Sequence, residues 1–400
     1  MKLKTLAVAT AVALTSTTAT AAPWSSIDAR TAAMGGASVA TATLDSAAYY
    51  NPALLAAQDA DADFSLSMSA GVSYADSQNL TGAIDDFSTS LQSFQNLDYA
   101  NYSQDAAGLA EFQNDVNTAY SNLNTSLNNL GGKSYTLATP IGANLGFTLG
   151  EWAASLSTQS YIDAAVGVGA ADGTPSLTPE TVDASLYADP SSLTTDARVE
   201  FNGVSATEIG VSLARTLNLA GLDFAVGLTP KLVSIASATG TQELAGSGIP
   251  ALTVSNASSD FNLDAGAVWK VSKSFRLGLS MRNLMAKSYA LGGGGTYEVA
   301  PQMRAGIGYT SKFMTVGADM DLTENDVFGE KSRIMAAGVE FDAWKIMQLR
   351  LGYTNDLATT LTQYSVGMGF LNNALNFAAV IDPNATGTGF SGYLGFAVNF

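Results

Sequence analysis

Residues 64 to 74 alternate without a break: Phe64, Leu66, Met68, Ala70, Val72 and Tyr74 stand against Ser65, Ser67, Ser69, Gly71 and Ser73. A period of two puts one set on each face of a β-strand. Further segments of this kind follow at about 134–149, 152–169, 198–217, 222–240, 259–271, 275–290, 296–310, 313–323, 332–343, 347–356, 362–371, 374–382 and 390–400. Together they predict about fourteen strands. Each is long enough to meet the roughly 9–11 residues a tilted strand needs to cross hydrocarbon, and the number is even, as in single-chain bacterial barrels. The expected fold is all-β, a transmembrane antiparallel β-barrel over 62–400.

Connection lengths alternate between short and long. Short turns fall near Gly150-Glu151, Asn218 to Gly221, Ser272 to Ser274, Ser311-Lys312, Trp344 to Ile346 and Asn372-Asn373. Long or glycine-rich connections fall at 75–133, 170–197, 241–258, Gly292 to Gly295, 324–331, 357–361 and 383–389. Barrels of this class keep short turns in the periplasm and long loops outside, which predicts periplasmic N- and C-termini.

The greasier parity is read as lipid-facing. Charge then falls inward: Asp264, Arg282, Arg304, Asp319, Asp321, Glu340 and Arg350 take the opposite parity from Leu263, Met281, Met303, Met320, Val339 and Leu351. A charge on the lipid side costs roughly 2–4 kcal/mol at the bilayer midplane, which favours this assignment. Two readings stay open for these residues, ion pairs that hold neighbouring strands or a conduction lining.

Two segments carry helical spacing instead. Leu109, Phe112, Val116, Tyr120, Leu123, Leu127 and Leu130 recur every three or four residues, and Ile84, Phe87, Leu91, Phe94 and Leu97 do the same over Leu80 to Leu97. A helical insert within 75–133 is therefore expected on the extracellular side, either as a self-packed cap or as a docking surface at 80–130 for a protein partner.

Lys2 and Lys4, the apolar run Leu6 to Leu14 and Ala19-Thr20-Ala21 read as a signal peptide over 1–21. After it, no run approaches the roughly 20 apolar residues of a spanning helix, although 47% of the chain is hydrophobic. If the chain spans a membrane it does so with strands, and only a closed barrel then satisfies every backbone group. The sequence has no cysteine and no histidine. That removes thiolate chemistry, the usual general base and most transition-metal sites, so no catalytic residue, metal or cofactor is expected. A net charge of −17, more negative still without the two leader lysines, makes nucleic acid a poor partner.

Residues 22–61 precede the first strand without period-two alternation. They are rich in alanine and contain Asp28-Ala29-Arg30-Thr31-Ala32-Ala33-Met34-Gly35-Gly36 and Tyr49-Tyr50-Asn51-Pro52-Ala53-Leu54-Leu55. Small residues allow close backbone packing, and Asn-Pro predicts a fixed bend leading into strand one. A segment of this kind suits a hatch folded inside the barrel.

These two runs resemble the N-terminal hatch of FadL-like outer-membrane barrels. Met34-Gly35-Gly36, Tyr50 to Leu55 and Ile84-Asp85-Asp86-Phe87 are most similar to the branch labelled conjugal-transfer TraF-like proteins. The plasmid TraF proteins of pilus assembly are similar to thioredoxins, and this cysteine-free chain departs from them. The resemblance implies a fourteen-stranded plugged barrel in the outer membrane of a Gram-negative bacterium, surrounded by lipid. It implies passive transport of hydrophobic small molecules such as long-chain fatty acids. Arg30, Met34, Gly35, Gly36, Asn51, Pro52 and Ala53 are the candidate hatch residues. Gly35 and Gly36 would serve flexibility or close packing, Asn51-Pro52 anchorage to strand one, and Arg30 a pair with lumen carboxylates. The spacing Tyr393, Gly395, Val398, Phe400 resembles the terminal signal read by barrel-assembly machinery. The alternatives are a surface or assembly protein that docks a partner through its helical insert, and a general diffusion porin, which a plug segment disfavours.

Overall fold

The computed structural model describes residues 18–20, 24–58, 63–76, 78–170, 175–244, 252–255, 257–291, 296–327, 330–343, 346–382 and 389–400. Residues 1–17 and 21 of the expected signal peptide, 22–23 and 59–61 of the expected hatch and Gly292 to Gly295 lie outside the described residues.

Fourteen antiparallel strands form the wall. They are β1 (Phe64–Ala75), β2 (Ser134–Leu149), β3 (Trp152–Gly169), β4 (Arg198–Leu219), β5 (Leu222–Glu243), β6 (Ser258–Lys270) and β7 (Phe275–Arg282). The second half comprises β8 (Gln302–Thr310), β9 (Met314–Asp321), β10 (Ile334–Ala343), β11 (Met347–Asp356), β12 (Thr362–Phe370), β13 (Leu375–Ile381) and β14 (Gly389–Asn399). Each pairs with its sequence neighbour, and β14 returns to β1, with Ser65 opposite Asn399 and Tyr74 opposite Phe390. The ring closes, so no edge strand of the wall is left unpaired. Phe400 finishes the seam: its N–H donates to the Phe64 carbonyl at 2.9 Å and the two rings lie 5.9 Å apart.

The alternation sorts as the sequence suggests. Leu66, Met68, Leu156, Ile209, Leu213, Leu232, Leu351, Leu394 and Phe396 are exposed on the outside, whereas Ser65, Ser67, Ser155 and Ser212 are buried inside. The wall is uneven in height. β4 and β5 each run 22 residues, whereas β7, β8 and β9 run 8, 9 and 8.

This unevenness corrects two expected strands. The segments 275–290 and 296–310 do not run through: β7 stops at Arg282 and β8 begins at Gln302. Asn283 adopts a left-handed φ of 55°, its N–H donates to Asp264 Oδ1 at 2.8 Å, and Pro301 has no N–H to give to a ladder. The alternation of 287–290 and 296–299 is real, yet Lys287–Ala290 and Thr296–Val299 pair as a separate antiparallel ladder folded inward as a hairpin. Its Tyr289, Tyr297 and Val299 pack on Val204, Ala206, Val233 and Ile235 of β4 and β5.

The helical insert comprises α3 (Leu80–Gln95) and α4 (Ala106–Leu130), numbered after two hatch helices. Phe87, Phe94, Phe112, Val116, Leu123, Leu127 and Leu130 are buried together with Leu177, Leu186 and Leu193 of the next long connection. Leu109, placed on the apolar face by its spacing, is 42% exposed. The loop before α4 explains this: Tyr99 and Tyr102 flank Phe112 at 5.4 and 5.3 Å, and Ser103 sits so close to Gly108 that Gly108, not Leu109, forms the buried edge. No helix among the described residues is long and apolar enough to cross a membrane, which is silent on strands.

Candidate functional site

Residues 24–58 lie inside the barrel as a compact hatch, nearly all buried. Its first helix, α1 (Ala29–Ala33), is capped by Asp28, whose Oδ1 accepts from Thr31 N–H at 2.9 Å. Tyr50, at the end of α2 (Ala47–Tyr50), donates its hydroxyl to Asp28 Oδ2 at 2.7 Å and accepts from Ile27 N–H at 2.8 Å. Gly35 and Gly36 then turn the chain in left-handed conformations, φ 68° and 92°, that close α1.

Gly35 also answers to space. A Cβ there would lie 2.6 Å from the Tyr353 carbonyl oxygen, so its role in this geometry is close approach rather than looseness. The wall reciprocates with a belt of its own glycines. Gly227 pairs with Gly266 and Gly278 with Gly306, while Gly308, Gly317, Gly338 and Gly352 form successive cross-strand pairs. A Cβ at Gly338 would sit 2.3 Å from the Met34 carbonyl, at Gly278 2.4 Å from the Val39 carbonyl, and at Gly227 2.5 Å from the Ala53 nitrogen. Hatch backbone lies directly on wall backbone.

Asn51 and Pro52 bend the chain as expected, but their anchorage differs. Asn51 Nδ2 donates to the Val39 carbonyl at 2.8 Å and to Ala267 of β6 at 3.3 Å, and the short 3-10 turn Pro52–Leu55, with Ala53 fully buried, rests on Gly227 and Gly266. The bend is thus fixed not to strand one but to β5 and β6, where the paired glycines Gly227 and Gly266 leave room for the Asn51 side chain and the Pro52 backbone. Other hatch carbonyls are held by wall side chains: Thr354 Oγ1 donates to Gly35 at 2.7 Å, Ser365 Oγ to Ala33 at 3.0 Å, Ser67 Oγ to Asp45 at 2.6 Å and Ser69 Oγ to Ile27 at 2.8 Å. Among the described residues no backbone ladder joins hatch to wall.

The inward charges gather in three groups. In the first, Glu340 accepts two hydrogen bonds from Arg30, Nε to Oε2 at 2.9 Å and Nη2 to Oε1 at 3.0 Å, and one from Arg350 Nε at 2.6 Å. Burial works against the Arg30 charge, and the Glu340 carboxylate outweighs it, so the guanidinium is held above the ordinary arginine value. Arg350 also donates to Asn376 Oδ1 at 2.8 Å and to Asn373. In the second, Asp319 Oδ2 accepts from Ser38 and Val39 N–H at 2.6 and 2.9 Å, gripping the hatch turn. Beside it Arg304 Nε donates to Asp321 at 2.6 Å, and the Arg304 and Arg282 guanidinium groups lie 4.9 and 5.4 Å from the centre of the Trp24 ring.

The third group was not read from the sequence in full. Asp264 and Arg282 meet Lys231 and Glu208: Lys231 Nζ lies 2.8 Å from Glu208 Oε2 and 2.9 Å from Asp264 Oδ2, and Arg282 Nη2 lies 3.3 Å from Glu208 Oε2. Gln159 donates to the same Glu208 oxygen. Parity was the available signal, since Glu208 and Lys231 alternate with the exposed Ile209 and Leu232. Trp24 had no such signal, because it lies outside any strand.

Two cavities of about 20 and 10 Å³ accompany the hatch, each with room for about one water. Among the described residues the hatch backbone packs directly against the wall at this level. At the C-terminus, Gly395 faces Ala29 of the hatch and Tyr393 packs beside Ala29, Ala32 and Ala33, while Phe400 lies exposed at the seam and Val398 shares its parity.

The fold is that of FadL-like outer-membrane barrels. The toluene transporter TbuX of Ralstonia pickettii superposes with a TM-score of 0.52 at 12% identity, over 94% of this chain and 99% of that one. The P. putida toluene transporter TodX gives 0.48 at 11% identity, over 94% and 98%, and a Pseudomonas aeruginosa FadL homologue gives 0.47 at 13%, over 91% and 96%. No curated protein matches the chain by sequence. Residues 48–321 match the family described as "F plasmid transfer operon, TraF, protein", a stretch that takes in the Asn51-Pro52 bend, the helical insert and the wall through β9, and the chain belongs to that family.

Proposed function

We propose that the protein is a passive transporter of hydrophobic small molecules, long-chain fatty acids among them, and not an enzyme. It sits in the outer membrane with both termini in the periplasm. The observation that carries this reading is a dedicated segment, 24–58, that lies in the lumen and, among the described residues, makes its hydrogen bonds to the wall through side chains and not through a backbone ladder. A plug that joined the wall by a backbone ladder would be a fixed part of the sheet; one held by discrete side-chain contacts can be displaced. The fold shared with the toluene transporter TbuX supports the same reading by analogy. Tyr393, Gly395, Val398 and Phe400 serve the barrel-assembly machinery during insertion.

Docking of a conjugation partner through the insert is the weaker reading. α3 and α4 turn most of their apolar residues toward each other and toward 177–193, leaving an outer surface that is largely polar apart from Leu109.

The test exploits the absence of cysteine. A Cβ at Gly395 would lie 3.6 Å from the Ala29 Cβ, within disulfide range. Ala29→Cys with Gly395→Cys should tether the hatch. Uptake of a fluorescent long-chain fatty acid by reconstituted vesicles should stop on oxidation and return on reduction. Equal uptake in both states sinks hatch-gated transport, and absence of binding by the intact barrel sinks transport of this substrate class and moves weight to docking, tested by deleting 80–130.

A further inference from the structure

The larger cavity, about 20 Å³, lies above the hatch between the inward hairpin and β4 and β5. Its chemistry divides sharply. Ala206, Val233, Ile235 and Val299 supply an apolar side, with the Tyr161 and Tyr297 rings. The other side is Asn283, Gln302, and Glu208 and Arg282 from the group they form with Lys231 and Asp264.

Two buried polar atoms at this cavity have no hydrogen-bond partner among the described residues: Arg282 Nε, a donor, and Asn283 Oδ1, an acceptor. Arg282 is 4% exposed and Asn283 5%. Buried polar groups are nearly always satisfied, and an orphan donor beside an orphan acceptor is the complement of a hydroxyl, which both gives and takes a hydrogen bond.

The charge balance decides against an anion. Two carboxylates face two cations in this group, and each is engaged by the other sign. A ligand carboxylate would add an uncompensated buried charge. A neutral hydroxyl adds none.

We infer that this cavity is the seat of a small neutral molecule that combines an apolar body with one hydroxyl, of the phenol or short aliphatic alcohol class. This rests on the transport reading and names the substrate class at the upper lumen. The hydroxyl accepts from Arg282 Nε and donates to Asn283 Oδ1. The apolar body lies on Val233 and Ile235, in the place of the Tyr297 ring that now closes the cavity, so binding moves the hairpin outward. Tyr289, buried in the same cluster with its own hydroxyl unpartnered, gains a polar neighbour when that happens.

The test uses phenol, toluene and benzoate, three ligands of one ring size that differ in a hydroxyl, a methyl and a carboxylate. Binding is measured by calorimetry on the full-length barrel in detergent. Phenol should bind at least about tenfold tighter than either of the others, the scale of one hydrogen bond from a charged donor and one to a neutral acceptor. Asn283→Gly keeps the left-handed backbone and removes the acceptor, so it should erase the preference for phenol and leave toluene unchanged. Ala206→Phe, which fills the apolar side from a different strand, should weaken phenol and toluene alike. Benzoate binding tighter than phenol, or toluene binding as tightly as phenol, overturns the assignment. So does binding of a long-chain fatty acid with none of the three, an outcome that leaves the transport reading standing. No binding by any hydrophobic probe removes both.

Discussion

Arg30 and Glu340 are 310 residues apart in sequence and meet side on, guanidinium to carboxylate, through two hydrogen bonds of 2.9 and 3.0 Å. The carboxylate is shared with Arg350, so the hatch is tied to β10 and β11 at one point. Removing one member of a buried ion pair strands the rest, typically at about 3–5 kcal/mol. Glu340→Gln should be worse than Arg30→Met, since it leaves two guanidinium groups facing each other, whereas Arg30→Met leaves Glu340 with Arg350. Thermal unfolding followed by heat-dependent gel mobility of the barrel gives the order. Equal stability of both variants and the parent would show that the tie carries no energy.

The glycine belt makes a sharper steric prediction. Gly338→Ala drives a methyl group to within 2.3 Å of the Met34 carbonyl and Gly352→Ala to within 2.1 Å of the Gly35 nitrogen. Backbone cannot yield as a side-chain tip does, so each should cost at least the roughly 1–3 kcal/mol of an overpacked core and unseat the hatch. Gly392→Ala is the control, with nothing within 4 Å of its added carbon. A reporter Ala33→Cys, buried in the parent, should become reactive to a maleimide in the first two variants and stay protected in the third.

Most of this wall is legible from period-two alternation because lipid and lumen impose opposite demands on adjacent residues. The same rule places Asp264, Arg304 and Arg350 inward without any coordinates. It fails at Lys287–Ala290 and Thr296–Val299, where the apolar set packs into the lumen instead of facing lipid, since periodicity reports a face and not what the face meets. The hatch was visible as an alanine- and glycine-rich stretch, and Arg30 as a candidate partner for some carboxylate. Which carboxylate it takes, and that Asn51 reaches β6, depend on how a closed ring brings distant strands around one plug. The belt glycines looked like ordinary small residues until register aligned them.

The insert hangs on Asp76. Burial disfavours its charge, but the Thr81 hydroxyl at 2.5 Å and the N–H groups of Thr81 at 3.0 Å and Leu80 at 2.6 Å outweigh that and hold its pKa below the ordinary aspartate value. A carboxylate with a depressed folded value contributes stability that is complete above its unfolded value and is lost as pH falls through the folded one. The start of α3 should therefore hold at neutral pH and loosen only below the ordinary aspartate range. Asp76→Asn should loosen it at every pH, at about 1 kcal/mol, the usual scale of a lost cap. Hydrogen exchange of the Leu80 and Thr81 amides reads both effects, and a parent that protects them unchanged down to pH 2 would contradict the assignment.

Glu208 and Lys231 test whether the inward charges act as a unit. Lys231→Met removes the cation that bridges Glu208 and Asp264, leaving Asp264 without the ion pair it makes at 2.9 Å. Glu208→Gln removes the carboxylate that Lys231, Arg282 and Gln159 share. Each single change should cost about 3–5 kcal/mol, because each strands a buried charge. The double variant should cost less than the two together, since Lys231 and Glu208 also neutralise each other, and the cycle should return a coupling of roughly 1–3 kcal/mol. Additive losses in unfolding measurements would mean that the two residues act independently and that the group is a set of separate contacts. A coupling of the expected size would instead make β4, β5, β6 and β7 one electrostatic unit at the foot of the inward hairpin, where the wall steps down from the 22-residue strands β4 and β5 to the 8-residue strand β7.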